Sequence, residues 1–150
     1  MGARAGRRDG VILGLLAAAA VSYVLQQTLV VPALPSLQRD LHTSATWTAW
    51  VFTGFLLTSA VFTPLMGKLG DMYGKKRMLV VALLVFALGT VACALADSIA
   101  LLIAGRAVQG VGGAVFPLSF GILRDELPPE RVGVGLGLLS ATFGVGGGLG

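Results

Sequence analysis

The sequence predicts an all-α membrane protein, a helical bundle with about five transmembrane helices. Three observations lead there. Of the 150 residues, 55% are hydrophobic and only 12% are charged; an ordinary soluble domain carries about 25% charged residues. The charges cluster in short stretches, and the apolar runs between them reach the roughly 20 residues needed to cross a bilayer. The 22 glycines fall inside those runs without a collagen-like period. There they suit the close approach of helices in lipid.

The first helix is predicted over 10–34. Arg4, Arg7 and Arg8 precede it, but the apolar run from Val11 is too long for a signal-peptide core, so an uncleaved span is expected. Ser22 and Gln26 are four apart, as are Tyr23 and Gln27, and each pair shares a face. Two adjacent glutamines, Gln26 and Gln27, are costly in an apolar helix unless they meet a partner or a wet cavity. Hydrogen bonds between helices would satisfy them equally. Pro32 and Pro35 loosen the outer end. Arg39, Asp40 and His42 follow in a loop, where His42 reads as a solvated residue.

The second helix is predicted over 45–66, with Trp47 and Trp50 in an interfacial aromatic belt. Thr53, Gly54, Thr58 and Ser59 make it partly polar, and Pro64 sits near its end. Next comes the basic stretch Gly67–Arg77, in which Asp71 lies among Lys68, Lys75, Lys76 and Arg77. Gly67, Gly70 and Gly74 can share a helical face or form a tight turn. The third helix, 78–96, is almost purely apolar and reads as a packing or lipid-facing element. Asp97 or Ser98 then caps the fourth.

The fourth helix, 99–123, holds Arg106, the one charge well inside a span. Arg106, Gln109, Gly110 and Gly113 form one stripe. A charge at the centre of a span costs about 2.5–3.5 kcal/mol on insertion scales, so Arg106 is expected to face the bundle interior. It lies roughly 10 Å from the helix start, so snorkelling to the interface is the alternative. The fifth helix, 132–150, follows a charged, proline-bounded loop. Gly133, Gly137, Gly144 and Gly148 recur along one face and are expected to pack a neighbouring helix.

Nine of the eleven cations fall on one side of this arrangement, only Arg39 falls on the other, and Arg106 is within a span. The positive-inside rule then places the N-terminus in the cytoplasm of a multi-pass plasma-membrane protein. The bilayer is therefore an expected partner. Nucleic acid is not, because the cations lie in loops rather than along a stripe. No nucleophile–base pair, paired carboxylates or zinc spacing points to an enzyme, a metal or a cofactor, and Cys93 has no cysteine partner.

The stretch Gly67-x-Leu69-Gly-Asp71-x-x-Gly74-Lys75-Lys76 resembles the loop between helices 2 and 3 of major facilitator superfamily transporters. The resemblance implies a cytoplasmic gate whose acid, Asp71, docks on the other half of the transporter. The family usually has a basic residue after that acid, and here Met72 stands there. Gly105-Arg106-Ala-Val-Gln109-Gly110-Val-Gly112-Gly113 looks like the helix 4 motif of the superfamily's drug:proton antiporters, which implies a role for Arg106 in proton transfer. Leu25-Gln26-Gln27-Thr28 through Pro35 is similar to the helix 1 signature of the fourteen-helix subfamily (EmrB/QacA type). That signature has an aspartate where Gln26 stands, so no carboxylate remains in the five predicted spans. The stretch from Ser140 to Gly150 resembles the helix 5 antiporter motif, with Gly146-Gly147 in place of Gly-Pro.

The resemblance implies a secondary transporter, an exporter of drugs or other small molecules driven by protons. Gln26, Gln27, Arg106, Gln109 and Gly110 would line its cavity or orient helices around it. It also implies that the chain is the N-terminal part of a larger bundle built from three-helix repeats, with the C-terminal half as the missing partner. Two alternatives stand: a metabolite uniporter or symporter of the same superfamily, and a non-transporting membrane protein that pairs through its glycine face.

Overall fold

The computed structural model describes the backbone of residues 2–148 and the side chains of residues 10–142 and 144. Among the described residues the regular structure is helical throughout. Helix α1 is Gly2–Asp40, α2 is Ala45–Tyr73, α3 is Lys75–Ala94 and α4 is Ile99–Gln109. A 3-10 segment, Gly110–Ala114, leads into α5, Val115–Glu126, and α6 is Pro129–Gly148. Among the described residues four helical stretches are long and apolar enough to cross a membrane: 10–40, 45–73, 75–94 and 99–126. The last joins α4, the 3-10 segment and α5 into one span. The fifth predicted span is present as the helix α6, whose C-terminal side chains lie partly outside the described residues.

The largest departures from the expected boundaries lie at α1, which already begins at Gly2, and in the basic stretch. Helix α1 runs past both Pro32 and Pro35 to Asp40. Its outer end is held by local bonds: the Ser36 hydroxyl donates to the Ala33 carbonyl at 2.8 Å, and Arg39 Nε donates to the Pro35 carbonyl at 3.3 Å. The carbonyls that Pro32 and Pro35 leave without an N–H partner are those of Thr28 and Val31, four residues back, and membrane helices tolerate such prolines where neighbouring groups re-satisfy the backbone.

The end of α1 is a Schellman motif. The His42 N–H donates to the Arg39 carbonyl at 3.3 Å and the Thr43 N–H donates to the Gln38 carbonyl at 3.1 Å. His42 takes a left-handed φ of 47°, where a Cβ is penalised and glycine is not. We predict that His42→Gly raises stability by about 0.5–1 kcal/mol. Thermal unfolding in detergent checks it, and a lowered midpoint would mean the imidazole has a role of its own. Ser44 then caps α2, accepting from the Trp47 N–H at 3.4 Å.

The second difference lies in the basic stretch. Gly67 and Gly70 do not break α2, which continues to Tyr73, and α3 begins at Lys75. The reversal rests on Gly74 alone, at φ 100°. Gly70 has another use: a Cβ there would lie 2.6 Å from Leu118 Cδ2.

The chain divides into two compact units, Met1–Val30 with Ser119–Gly150, and Val31–Leu118. In the first, α1 buries Leu16, Ala20 and Val24, each four residues from the last, and α6 buries Leu139. A Cβ on Gly135 would meet Leu127, Leu123 and Leu13. The packed stripe of α6 is therefore Gly135 and Leu139. Gly133, Gly137 and Gly144, the expected packing face, are exposed, and a Cβ on any of them would meet nothing within 4 Å. Gly148 lies outside the residues whose surroundings are described. In the second unit α4 is the shared element between α2 and α3. Val51 and Phe55 of α2, Ala82 and Phe86 of α3 and Leu102 of α4 are its core.

Candidate functional site

Glycines of α3 and of the 3-10 segment set how closely α2, α3 and the fourth span approach, and that approach makes the site. On the α3 side, a Cβ on Gly89 would lie 2.7 Å from Gln109 Cγ and 2.9 Å from the Gly105 carbonyl oxygen. On the α2 side, a Cβ on Gly110 would lie 2.6 Å from the Phe55 carbonyl oxygen and 2.9 Å from the Ser59 nitrogen. One on Gly113 would collide with the Ser59 hydroxyl. Two backbones therefore close on α4 where Arg106 sits.

Arg106 is 2% exposed and Gln109 is fully buried. Arg106 Nη1 donates to Gln109 Oε1 at 2.7 Å. Gln109 Nε2 donates to Thr90 Oγ1 at 3.0 Å, and that hydroxyl donates to the Phe86 carbonyl at 2.9 Å. The donors all run one way, so each bond polarises the next. On the other side the guanidinium carbon lies 4.6 Å from the centre of the Phe55 ring and 6.0 Å from that of Phe52. Desolvated cation–π contacts of this kind are worth about 2 kcal/mol. Among the described residues no carboxylate lies within α4 or its two neighbours up to the basic turn. The charge is held by an amide oxygen and aromatic faces, an arrangement that keeps a guanidinium fixed in an apolar medium.

The structure brings Arg106, Gln109 and Gly110 together, as their spacing implies, and turns Gln109 toward α3 rather than into an open space. Gln26 and Gln27 are half-buried on α1 and belong to the other unit. Three participants were missed: Thr90, Phe55 and Phe52. Thr90 beside Gly89 is the one polar side chain in the middle of the third span, and that pairing was the available signal. The helix read as merely apolar supplies the acceptor that orients Gln109.

The second candidate region is the turn at Gly74. Asp71 Oδ1 and Lys75 Nζ are 3.6 Å apart across it, with the aspartate 71% exposed. Gly67 and Leu69 lie on α2, and Lys76 is exposed in the first turn of α3. Such an exposed pair contributes about 0–1 kcal/mol, so it leaves the Asp71 carboxylate available to another partner.

Membrane-spanning helices, a glycine-cut polar cluster in the fourth span and a one-residue basic turn after the second suggest one family, and the family profile described as Major Facilitator Superfamily matches residues 3–150. The chain belongs to the major facilitator superfamily. That is a family of multi-pass membrane transporters, not of enzymes. The chain is similar to an MFS-type transporter of Aspergillus terreus, 40% identical over 84% of this chain and 23% of that protein. It is 37% identical to Multidrug resistance protein 3 of Bacillus subtilis, over 90% of this chain and 26% of that protein. It is 36% identical to the Tetracenomycin C resistance and export protein of Streptomyces glaucescens, over 80% of this chain and 22% of that protein. The chain thus spans about a quarter of the length of these curated relatives.

Proposed function

We propose that this chain supplies the first helices of a plasma-membrane exporter of drugs or other small molecules, driven by a proton gradient. The observation that carries the reading is the Arg106–Gln109–Thr90 cluster in a chain whose relatives include named resistance and export proteins. A fixed buried cation lowers the pKa of any carboxylate that approaches it, so gain and loss of a proton there would bias one conformation over another. With Gln26 on α1, that carboxylate would come from outside these spans. The distribution of basic residues supports a cytoplasmic N-terminus and a cytoplasmic Gly74 turn.

The test is export of a lipophilic cationic dye by the full gene product in proteoliposomes with an imposed pH gradient. Efflux that follows the gradient and stops with a protonophore is expected. Transport that ignores the gradient would favour the second reading, facilitated exchange of a small metabolite, which Gln26 and Gly146-Gly147 support. No transport of any solute, with copies crosslinked through α6, would favour a non-transporting pairing protein.

Asp71→Asn gives a narrower check. We predict normal membrane insertion and a loss of transport of about tenfold, the equivalent of about 1.4 kcal/mol. The pair with Lys75 is too weak to affect folding, so a fall in transport reports the partner Asp71 meets during the cycle. Unchanged transport would remove Asp71 from gating.

A further inference from the structure

Helices α2 and α3 meet at Gly74 and splay apart over α4, leaving a groove of about 480 Å³. Phe62 and Met66 of α2 form one wall, Val81 and Val85 of α3 the other, and Val108 and Val111 the floor. The volume lies in the range of small-molecule sites, about 300–1,000 Å³. The lining is almost wholly apolar, so an occupant with polar groups along its length would leave them unsatisfied.

Charge marks one end of this groove. Arg77, Val81 and Val85 are each four residues apart on α3, so Arg77 continues the wall one turn toward the Gly74 reversal, roughly 6 Å beyond Val81. Arg77 is exposed there. On the α2 side of the reversal Lys68 is exposed as well, while Lys75 lies beside Asp71. The foot of the apolar groove thus carries exposed positive charge at the depth where a span meets the membrane surface.

We propose that the groove holds one acyl chain of an anionic phospholipid, with its phosphate at Arg77. A hydrocarbon chain has no hydrogen-bonding groups to satisfy, which matches the walls, and a negative headgroup matches the foot. Basic residues at a bilayer surface favour anionic over zwitterionic lipid. The site is independent of the Arg106 cluster and of whatever solute the protein moves.

The experiment is photolabelling of the full gene product in detergent with a phosphatidylglycerol whose acyl chain carries a diazirine, followed by peptide mapping. Labelling on the α2 and α3 peptides that hold Met66 and Val85 is expected. Competition by unlabelled phosphatidylglycerol should be about tenfold stronger than by phosphatidylcholine. Arg77→Gln should abolish that preference while leaving the labelled peptides unchanged. Val85→Trp, whose indole obstructs the groove between its two walls, should move the label elsewhere. Equal competition by the two lipids, which is the behaviour of bulk lipid, would overturn the proposal. So would label confined to other helices, or a disulfide from Val85→Cys to another segment of protein, because the groove would then be covered by protein. The wild-type labelling and competition decide the matter even if Val85→Trp does not fold.

Discussion

Arg106→Ala is expected to reduce transport by on the order of a hundredfold, the equivalent of about 3 kcal/mol, while the protein still reaches the membrane. Two consequences of the substitution oppose each other in stability. Removing a buried charge relieves its desolvation. It also empties the space beside Phe55 and leaves Gln109 Oε1 without the donor 2.7 Å away; an orphaned buried acceptor costs about 1–3 kcal/mol. The two are of similar size, so folding is expected to survive. Function is not, because no other residue of α4 or the 3-10 segment carries charge. Arg106→Lys separates charge from shape. A lysine keeps the cation but lacks the flat face that meets Phe55 and the rigid fork that meets Gln109. Full activity in Arg106→Lys would show that charge alone suffices. Thr90→Val should act at a distance: it withdraws the acceptor of Gln109 Nε2, lets the amide rotate and loosens Arg106. A transport loss smaller than that of Arg106→Ala, restored by Thr90→Ser, is the signature of a positioning role. Dye efflux from proteoliposomes measures all three.

The difference between what was readable in the chain and what was not has a physical source. Arg106 and Gln109 stand out because polar groups are rare in apolar helices, and rarity is visible in one dimension. Phe55, Phe52 and Thr90 are ordinary residues for a membrane helix, and they matter only because α4 turns Arg106 toward α2 and Gln109 toward α3. That is a pairing between helices, and no period within one helix encodes it. The glycines were misjudged for a related reason. Gly67, Gly70 and Gly74 were expected to share a helical face or to form a tight turn, yet of the three only Gly74 takes a conformation that disfavours a side chain, whereas Gly70 makes room for Leu118. On α6 the regular spacing drew attention to Gly133, Gly137 and Gly144, while the glycine in contact is Gly135. Composition announces that glycines permit close approach; which of them are used depends on the neighbour. The two long helices were predicted too short because proline and glycine were read as stop signals, whereas α1 and α2 continue past them to Asp40 and Tyr73.

Gly110→Ala tests how close that approach is, and it is expected to be strongly destabilising. The new Cβ would lie 2.6 Å from the Phe55 carbonyl oxygen, 2.7 Å from Thr58 Cβ and 2.9 Å from the Ser59 nitrogen. Two of these atoms are backbone in the middle of α2, so no rotamer change relieves the contact. Helix α2 must move bodily away from α4. Overpacking costs typically about 1–3 kcal/mol where side chains can adjust, and here the cost should reach or exceed the upper end. The displacement also draws Phe55 off the guanidinium, so transport should fall even in whatever fraction folds. Gly137→Ala is the matched control. It adds the same methyl to a helix, but into open space, and alanine is favoured over glycine in a helix by about 1 kcal/mol. Thermal unfolding in detergent should therefore show a large loss for Gly110→Ala and no loss, or a small gain, for Gly137→Ala. A stable Gly110→Ala protein would mean that α2 and α4 do not approach this closely. A destabilised Gly137→Ala protein would mean that the exposed face of α6 is covered by a partner, and the size of the loss would measure how tightly.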